Sequence, residues 1–154
     1  MSDLNESQQD AIEQAEAEGM TVVRGSPTLL LIDLDDREAL YYYDQRIERV
    51  TEALAERGVG LKELERWYSK SGEGLHIKMK LSKPLNVSTR LLLQACLGSD
   101  RIREFLSLMR KWDGSPSPSM LFKPPKKSGG VKKTTRAIPK PRTEDLFIDD
   151  DVPF

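Results

Sequence analysis

The clearest periodic signal in the chain is a strict alternation of apolar and polar residues over positions 75–81 (LHIKMKL). The apolar members fall on one face of an extended segment, while His76, Lys78 and Lys80 fall on the other. This pattern predicts a strand with one buried face and one polar face. The preceding turn, SGEG, connects it to a second expected strand, ELERWYSK at 63–70.

The remaining hydrophobic pattern predicts further strands and helices around this pair. The expected strands cover 20–24, 28–35, 63–70, 75–81 and 119–123. The expected helices cover 3–18, 37–57, 88–97 and 100–112, the last with Ser99 or Asp100 as its N-cap. This order predicts an α+β domain over 1–123, with an antiparallel or mixed sheet, flanking helices and an acidic N-terminal helix within 1–19.

Charge is segregated along the chain, although the formal net charge is only -1. Residues 1–19 carry six acids and no base, residues 123–142 carry eight bases and no acid, and residues 144–154 carry five acids. The segment 124–143 is rich in Pro, Gly, Lys and Thr, which cannot bury enough apolar area to fold alone. We therefore expect a disordered tail, consisting of a flexible basic linker at 124–143 and an acidic tip at 144–154.

Several classes of site are excluded by composition. The chain has one cysteine, Cys96, and one histidine, His76, so it can form neither an internal disulfide nor a Cys/His zinc site. No apolar run approaches the roughly 20 residues that span a bilayer, and the first residues lack the basic start and apolar core of a signal peptide. We expect a cytoplasmic protein that needs no cofactor and binds no membrane.

Two carboxylates, Asp33 and Asp35, lie at the end of an otherwise apolar run, LLLIDLDD at 29–36. In a strand they point to the same face, where like charges repel unless a divalent cation or a basic residue lies between them. The alternative interpretation is that the strand has simply reached the surface, with Asp35 or Asp36 capping the next helix.

The polar face of 75–81 is the candidate nucleic-acid surface. A lone histidine in a strand is more often structural, but two lysines beside it on one face match a phosphate backbone. Neighbouring basic residues add charge, and neighbouring aromatic rings are candidates for stacking on bases. The expected DNA-binding residues are Trp67, Tyr68, Lys70, His76, Lys78, Lys80, Arg101 and Arg103.

Two motifs together resemble the catalytic core of archaeo-eukaryotic primases and primase-polymerases. A strand reading hydrophobic-hydrophobic-Asp-hydrophobic-Asp is followed, after a helix and a strand, by Ser-x-x-Gly-x-His. The similarity covers roughly residues 20–123. It implies the fold of that family, in which Asp33 and Asp35 would hold catalytic metal ions and His76 would contact the phosphates of a nucleotide.

The chain departs from this family at a third position. Family members supply a third acid from a later strand, which completes a site for two metal ions. The strand expected there reads SMLFKPP, so Lys123 stands where the acid is wanted. Asp100 or Asp113 can substitute only if the strand order differs from the expected one. We therefore expect no bound metal and no catalysis, with the two aspartates and the histidine of the motifs as vestigial residues.

The final residues, LFIDDDVPF, resemble the C-terminal tip of bacterial single-stranded DNA-binding proteins, an acidic run that ends in Pro-Phe. The resemblance implies that the terminal ring fills an apolar pocket on a partner protein. Pro153 limits the entropy lost on docking and Phe154 is a large apolar anchor; a generic acidic tail is the alternative. The implied partner-binding residues are Asp149, Asp150, Asp151, Val152, Pro153 and Phe154.

The two resemblances together predict a primase-derived, non-catalytic protein that coats single-stranded DNA and recruits host replication and repair proteins through its tip. Such a protein suits a phage, plasmid or other mobile element in the cytoplasm of a bacterial host. The expected partners are single-stranded DNA and the host proteins that bind such tips. A small active primase or polymerase that uses Asp33, Asp35 and His76 is the alternative.

Overall fold

The computed structural model describes residues 6–115 and 117–125. Its antiparallel strands and flanking helices confirm the predicted α+β class. The helices are α1 (Glu6–Ala17), α2 (Arg37–Ala55), α3 (Val87–Cys96) and α4 (Arg101–Trp112). The strands are β1 (Thr21–Arg24), β2 (Leu29–Leu34), β3 (Leu61–Tyr68), β4 (Leu75–Leu81) and β5 (Met120–Lys123). Within the described ranges, no helix combines the length and the apolar character that a membrane span requires.

A three-stranded antiparallel sheet in the order β2-β4-β3 forms the centre of the fold. The alternation predicted for β4 is confirmed, because its apolar residues are buried and lie opposite apolar residues of β2, with Ile77 facing Ile32. Helix α2 covers this inner face, where Tyr43 and Ile47 pack against the strands. A register shift of one residue would turn the whole apolar set outward, so this pairing is strongly specified.

Strands β1 and β5 form a separate antiparallel ribbon. The sequence pattern predicts β1 and β2 as a pair of strands; both form, but β1 pairs with β5 while β2 pairs with β4. The indole N–H of Trp67 on β3 donates to the carbonyl of Phe122 at 3.1 Å, which attaches the ribbon to the outer face of the sheet. Helix α1 is attached through the buried Gln8, which bonds Ser115 and the carbonyl of Ser117.

The outer edge of β2 is covered by groups from α3, α4 and the turn between them. At Leu31 and Asp33, the outward N–H and carbonyl groups all have partners at 2.9–3.1 Å. These partners are Gln94 Oε1, Ser99 Oγ, the Arg103 guanidinium and the N–H of Asp100. An edge strand without such cover leaves its backbone groups unpaired. The contacts therefore hold the α3–α4 hairpin against the sheet.

Two aspartates cap helices, as their positions in the sequence indicate. Asp36 accepts a hydrogen bond from the N–H of Ala39 at 2.9 Å and caps α2. Asp100 accepts from the N–H of Ile102 at 3.0 Å and caps α4, which confirms one of the two predicted N-caps. Each carboxylate satisfies a donor that the first turn of a helix leaves unpaired.

Candidate functional site

Three carboxylates meet where β2 ends and α4 begins. Asp33 is the penultimate residue of β2, Asp35 follows the strand, and Asp100 is the N-cap of α4. One oxygen from each of the three lies within 4.8 Å of the others. The two aspartates of the first motif are therefore close together, and a third acid joins them. We call these three residues the carboxylate cluster.

The backbone between α3 and α4 explains the position of the third acid. Gly98 has φ +94°, in the left-handed region that favours glycine, and a Cβ there would lie 2.9 Å from the carbonyl oxygen of Ala39. This tight turn lets α4 start directly beside β2. The N–H of Asp100 then donates to the carbonyl of Asp33 at 2.9 Å, which holds the carboxylate of Asp100 next to the motif.

The negative charges of the carboxylate cluster repel one another. Burial, followed by the negative charges of Asp33 and Asp100, raises the pKa of Asp35 to about 6. Carboxylates that share a site favour either a proton or a cation between them. At neutral pH, a bound cation would therefore relieve repulsion inside the cluster.

His76 lies beside Asp33 and beneath the β1–β5 ribbon. Its Nε2 is 3.2 Å from Asp33 Oδ1, and its ring meets Trp67 edge to face at 5.6 Å between centroids. The residue is only 9% exposed, and its Nδ1 has no hydrogen-bond partner within the described ranges. The histidine is thus a buried partner of Asp33, whereas the sequence pattern predicts a member of an exposed basic face.

The donor set of the carboxylate cluster fits a hard divalent cation such as Mg²⁺. Carboxylate oxygens from separate residues, supplemented by water, are the ligands that Mg²⁺ takes in proteins. A third carboxylate does lie beside the two of the motif, and it comes from the start of α4 instead of from β5; the expectation of a site without metal and without catalysis stays a prediction. Lys123 lies elsewhere and forms an ion pair with Glu65 on β3. The N-cap position of Asp100 was the available signal for this proximity, because the third acid was expected on a strand and Asp100 only as an alternative.

Three lysines lie together on the outer face of the sheet. Lys62 on β3 is directly opposite Lys80 on β4, and Lys78 is the next residue of β4 on the same face, opposite Glu65, which pairs with Lys123. Lys62 and Lys80 are exposed and Lys78 is half-buried. We call Lys62, Lys78 and Lys80 the lysine row. Sequence reasoning missed Lys62, although its place beside the apolar Leu61 at the start of β3 was a usable signal.

The two aromatic candidates on β3 do not share a surface. Trp67 lies opposite His76 and Tyr68 lies opposite Leu75, so the pleat directs their side chains to opposite faces of the sheet. The indole of Trp67 already donates to a backbone carbonyl, and the ammonium of Lys123 lies 5.6 Å from its ring centroid. The structure therefore does not form one stacking platform from these two rings.

The other predicted DNA-binding residues lie away from the lysine row. Lys70 forms an ion pair with Glu18. Arg101 is exposed and lines a cleft beside Asp35. The side chain of Arg103 is 13% exposed, and its guanidinium donates to the carbonyls of Leu31 and Met120. Arg103 therefore ties α4 to β2 and β5, so we leave it out of the proposed DNA surface.

The predicted partner-binding residues, from Asp149 to Phe154, lie outside the described residues, as do the basic linker beyond Pro125 and the acidic tip. Comparison with known proteins finds no matching family model, no matching curated protein and no matching solved structure. The likeness to primases and to the tips of single-stranded DNA-binding proteins therefore rests on the short motifs quoted above.

Proposed function

We propose that this protein binds single-stranded DNA through the lysine row, without catalysing chemistry on it. We also propose that the segment Asp149–Phe154 recruits replication and repair proteins in the cytoplasm of a bacterial host. The observation that carries the DNA-binding part is the direct cross-strand pairing of Lys62 with Lys80. The preference for single strands, and the recruitment, are supported by the two sequence resemblances.

Two lysines directly opposite each other repel and destabilise a sheet. A bound anion would relieve the repulsion between their ammonium groups. Lys78 and Lys80 are two residues apart on one strand, which places them about 7 Å apart along it. That spacing is comparable to the separation of successive phosphates along a single strand. A phosphate backbone that runs along β4 can therefore meet both ammonium groups, with Lys62 beside it.

The salt dependence of DNA binding tests this surface. Each lysine-to-phosphate contact on a single strand contributes about 0.7 to the slope of log K against log salt concentration. Changing Lys62, Lys78 and Lys80 together to Gln should reduce that slope by about 2. Between about 50 and 200 mM salt, the wild-type protein should consequently lose affinity by a factor roughly 20 times larger than the factor lost by the variant. Fluorescence anisotropy with a labelled oligonucleotide and with its duplex measures both quantities.

A matched control removes the same charge from the opposite side of the molecule. Arg37, Arg49 and Arg57 are exposed and lie on α2 or directly after it, where that helix covers the inner face of the sheet. Changing these three to Gln should leave the salt slope nearly unchanged. Equal losses in the two triple variants would remove the lysine row from the proposal. Tighter binding to the duplex would remove the preference for single strands.

The recruitment part is tested separately on the acidic tip. Phe154→Ala removes the proposed apolar anchor, so binding to a host protein that recognises such tips should weaken by ~2 kcal/mol, about 30-fold in Kd. The affinity for DNA should stay the same. Ile138→Ala in the basic linker is the control for loss of an apolar side chain. Unchanged partner affinity after Phe154→Ala would leave the acidic tip as a solubilising segment only.

A second candidate function, template-directed nucleotide polymerisation, is favoured by the carboxylate cluster. A Mg²⁺ ion held by Asp33, Asp35 and Asp100 would stabilise negative charge on phosphoryl oxygens. Calorimetric titration with Mg²⁺ or Mn²⁺ measures binding to the cluster directly, with Asp100→Asn as the variant that removes one of its three negative charges. Template-dependent primer synthesis that is lost in Asp100→Asn would replace the non-catalytic proposal with the enzymatic one.

A further inference from the structure

Helix α4 exposes an apolar stripe that no other described residue covers. Ile102 and Trp112 are each 67% exposed, Phe105 is 56% exposed and Leu106 is 45% exposed. Met109, which is half-buried, lies among them at helical spacing. We call these five residues the α4 stripe.

The orientation of α4 is the reverse of that of an ordinary surface helix. Its buried residues are Glu104 and Ser107, and Glu104 bonds the side chains of Gln94, Ser99 and Arg103, which contact the edge of β2. An amphipathic helix normally buries its apolar face and exposes its polar face. Here the polar side faces the body of the fold and the apolar side faces outward, so the α4 stripe is open to an occupant that lies outside residues 6–115 and 117–125.

Helix α3 enlarges this apolar surface. Lys111 on α4 donates to Ser88 on α3 at 2.8 Å, which sets the two helices side by side in opposite directions. Leu92 lies one turn beyond Ser88 and is 65% exposed. Together with the α4 stripe it exposes roughly 500 Å² of apolar surface, near the upper end of the largest patches found on monomers.

We propose that the α4 stripe is the interface of a homodimer in which the α4 helices of two copies pack antiparallel. The apolar positions 102, 105, 109 and 112 are separated by three, four and three residues. This spacing is symmetric about residue 107. Turning a second copy end for end therefore brings Trp112 level with Ile102, and Met109 level with Phe105, in the a-to-d layers of an antiparallel helix pair.

Size and charge both favour a second copy in this orientation. Each layer combines an aromatic ring with an aliphatic or thioether side chain, whereas a parallel pair would set Trp112 against Trp112. The antiparallel pair also brings Arg101 level with Asp113 of the other copy, and it opposes the two helix dipoles. A DNA strand is a poorer occupant, because the centre of the stripe offers Leu106 and Met109 and no positive charge.

The dimensions predict a reversible dimer. The stripe runs over ten residue steps, about 15 Å of helix. Two such surfaces bury about 1,000 Å² in total, which is below the roughly 1,200–2,000 Å² of stable interfaces and falls among weak, transient ones. We therefore expect a dissociation constant in the micromolar range, so that monomer and dimer coexist at ordinary protein concentrations.

Sedimentation equilibrium of the full chain from about 1 to 200 µM tests the dimer. Wild type should pass from monomer to dimer, and Phe105→Glu should raise the dissociation constant at least tenfold. Leu64→Glu is the matched control, because Leu64 is a 49% exposed apolar residue on β3, outside the stripe. A wild type that stays monomeric, or equal effects of the two variants, overturns the proposal. Thermal melts followed by circular dichroism show that each variant is folded.

Cross-linking tests the antiparallel register. In a Cys96→Ser background, which removes the exposed natural thiol, Ile102→Cys and Trp112→Cys proteins are prepared separately and then mixed under oxidation. The mixture should give a disulfide-linked dimer at a much higher yield than either protein alone. Equal yields in all three samples contradict the register. The protein could also prove monomeric, with variants of the α4 stripe that change only its affinity for an oligonucleotide or for a peptide of residues 144–154. That result would assign the stripe to that ligand and overturn the dimer.

Discussion

Replacing Arg103 with methionine should sharply destabilise the protein. The side chain is 13% exposed and donates to the carbonyls of Leu31 and Met120 at 3.1 and 3.0 Å. It also forms an ion pair with Glu104, whose side chain is 6% exposed. The substitution leaves a buried carboxylate without its counter-charge, and such a loss costs about 3–5 kcal/mol. For a domain of this size, the melting temperature should fall by roughly 12–20 °C.

Urea denaturation followed by circular dichroism measures this loss. Arg101→Met removes a neighbouring exposed guanidinium and should change the unfolding free energy by less than about 0.5 kcal/mol. Adding Glu104→Gln to Arg103→Met removes the stranded charge and should restore about 1 kcal/mol or more. If Arg103→Met cost no more than Arg101→Met, Arg103 would not be a structural residue, and its predicted place on the DNA surface would return.

The same variant has a predictable pH dependence. Burial raises the pKa of Glu104 above its ordinary value of 4.5, while the charge of Arg103 and hydrogen bonds from Gln94 and Ser99 act in the opposite direction. Without Arg103, the pKa of Glu104 in the folded protein rises further. A folded-state pKa above the unfolded value means that stability falls as pH rises between the two values. The deficit of Arg103→Met should therefore be largest at high pH and shrink as pH approaches 4.5.

Two further substitutions test the carboxylate cluster and the turn that positions it. Asp35→Asn should stabilise the protein at pH 8 by about 1 kcal/mol or less, since solvent screens this partly exposed group. This gain in stability should fade as the pH drops from about 6, the pKa of Asp35 in the folded protein, toward 3.8, its ordinary value. Over that interval the folded protein protonates Asp35 before the unfolded chain does. A net loss of stability at pH 8 would contradict this reasoning. Gly98→Ala should cost more than Gly72→Ala in urea denaturation, because both have positive φ but only Gly98 would bring a Cβ within 2.9 Å of the carbonyl oxygen of Ala39. Equal costs would show that the turn accommodates the methyl group.

The strongest local patterns in the sequence predicted the structure well. The alternation in β4 identifies a strand because only one face is buried, so the pattern directly reflects the environment of Leu75 and Ile77. The N-cap at Asp100 was predictable for a similar reason, since capping involves only the next two or three residues. Interactions of this range are readable from a single sequence.

Contacts between distant segments were not predictable in the same way. Strands β1 and β5 have four residues each and lie about 100 positions apart, and such short apolar runs carry little information about their partners. The closeness of Asp100 to Asp33 depends on the turn at Gly98 and on a backbone hydrogen bond across 67 positions. Likewise, the pattern places His76 and Lys78 on one face, but only the position of the ribbon shows that His76 is covered.

Because side chains of α3 and of the α3–α4 turn accept hydrogen bonds from the outer edge of β2, hydrogen exchange at two amides of that edge measures detachment of the α3–α4 hairpin. The N–H groups of Leu31 and Asp33 donate to the side chains of Gln94 and Ser99, so they can exchange with deuterium only when those side chains withdraw. Neighbouring β2 amides that donate to β4 exchange when the sheet itself opens. Comparing the two sets in one exchange experiment separates detachment of the α3–α4 hairpin from global unfolding. A ligand at the carboxylate cluster or a dimer through α4 would slow the first process, and each would be visible in these two protons without any label on the ligand.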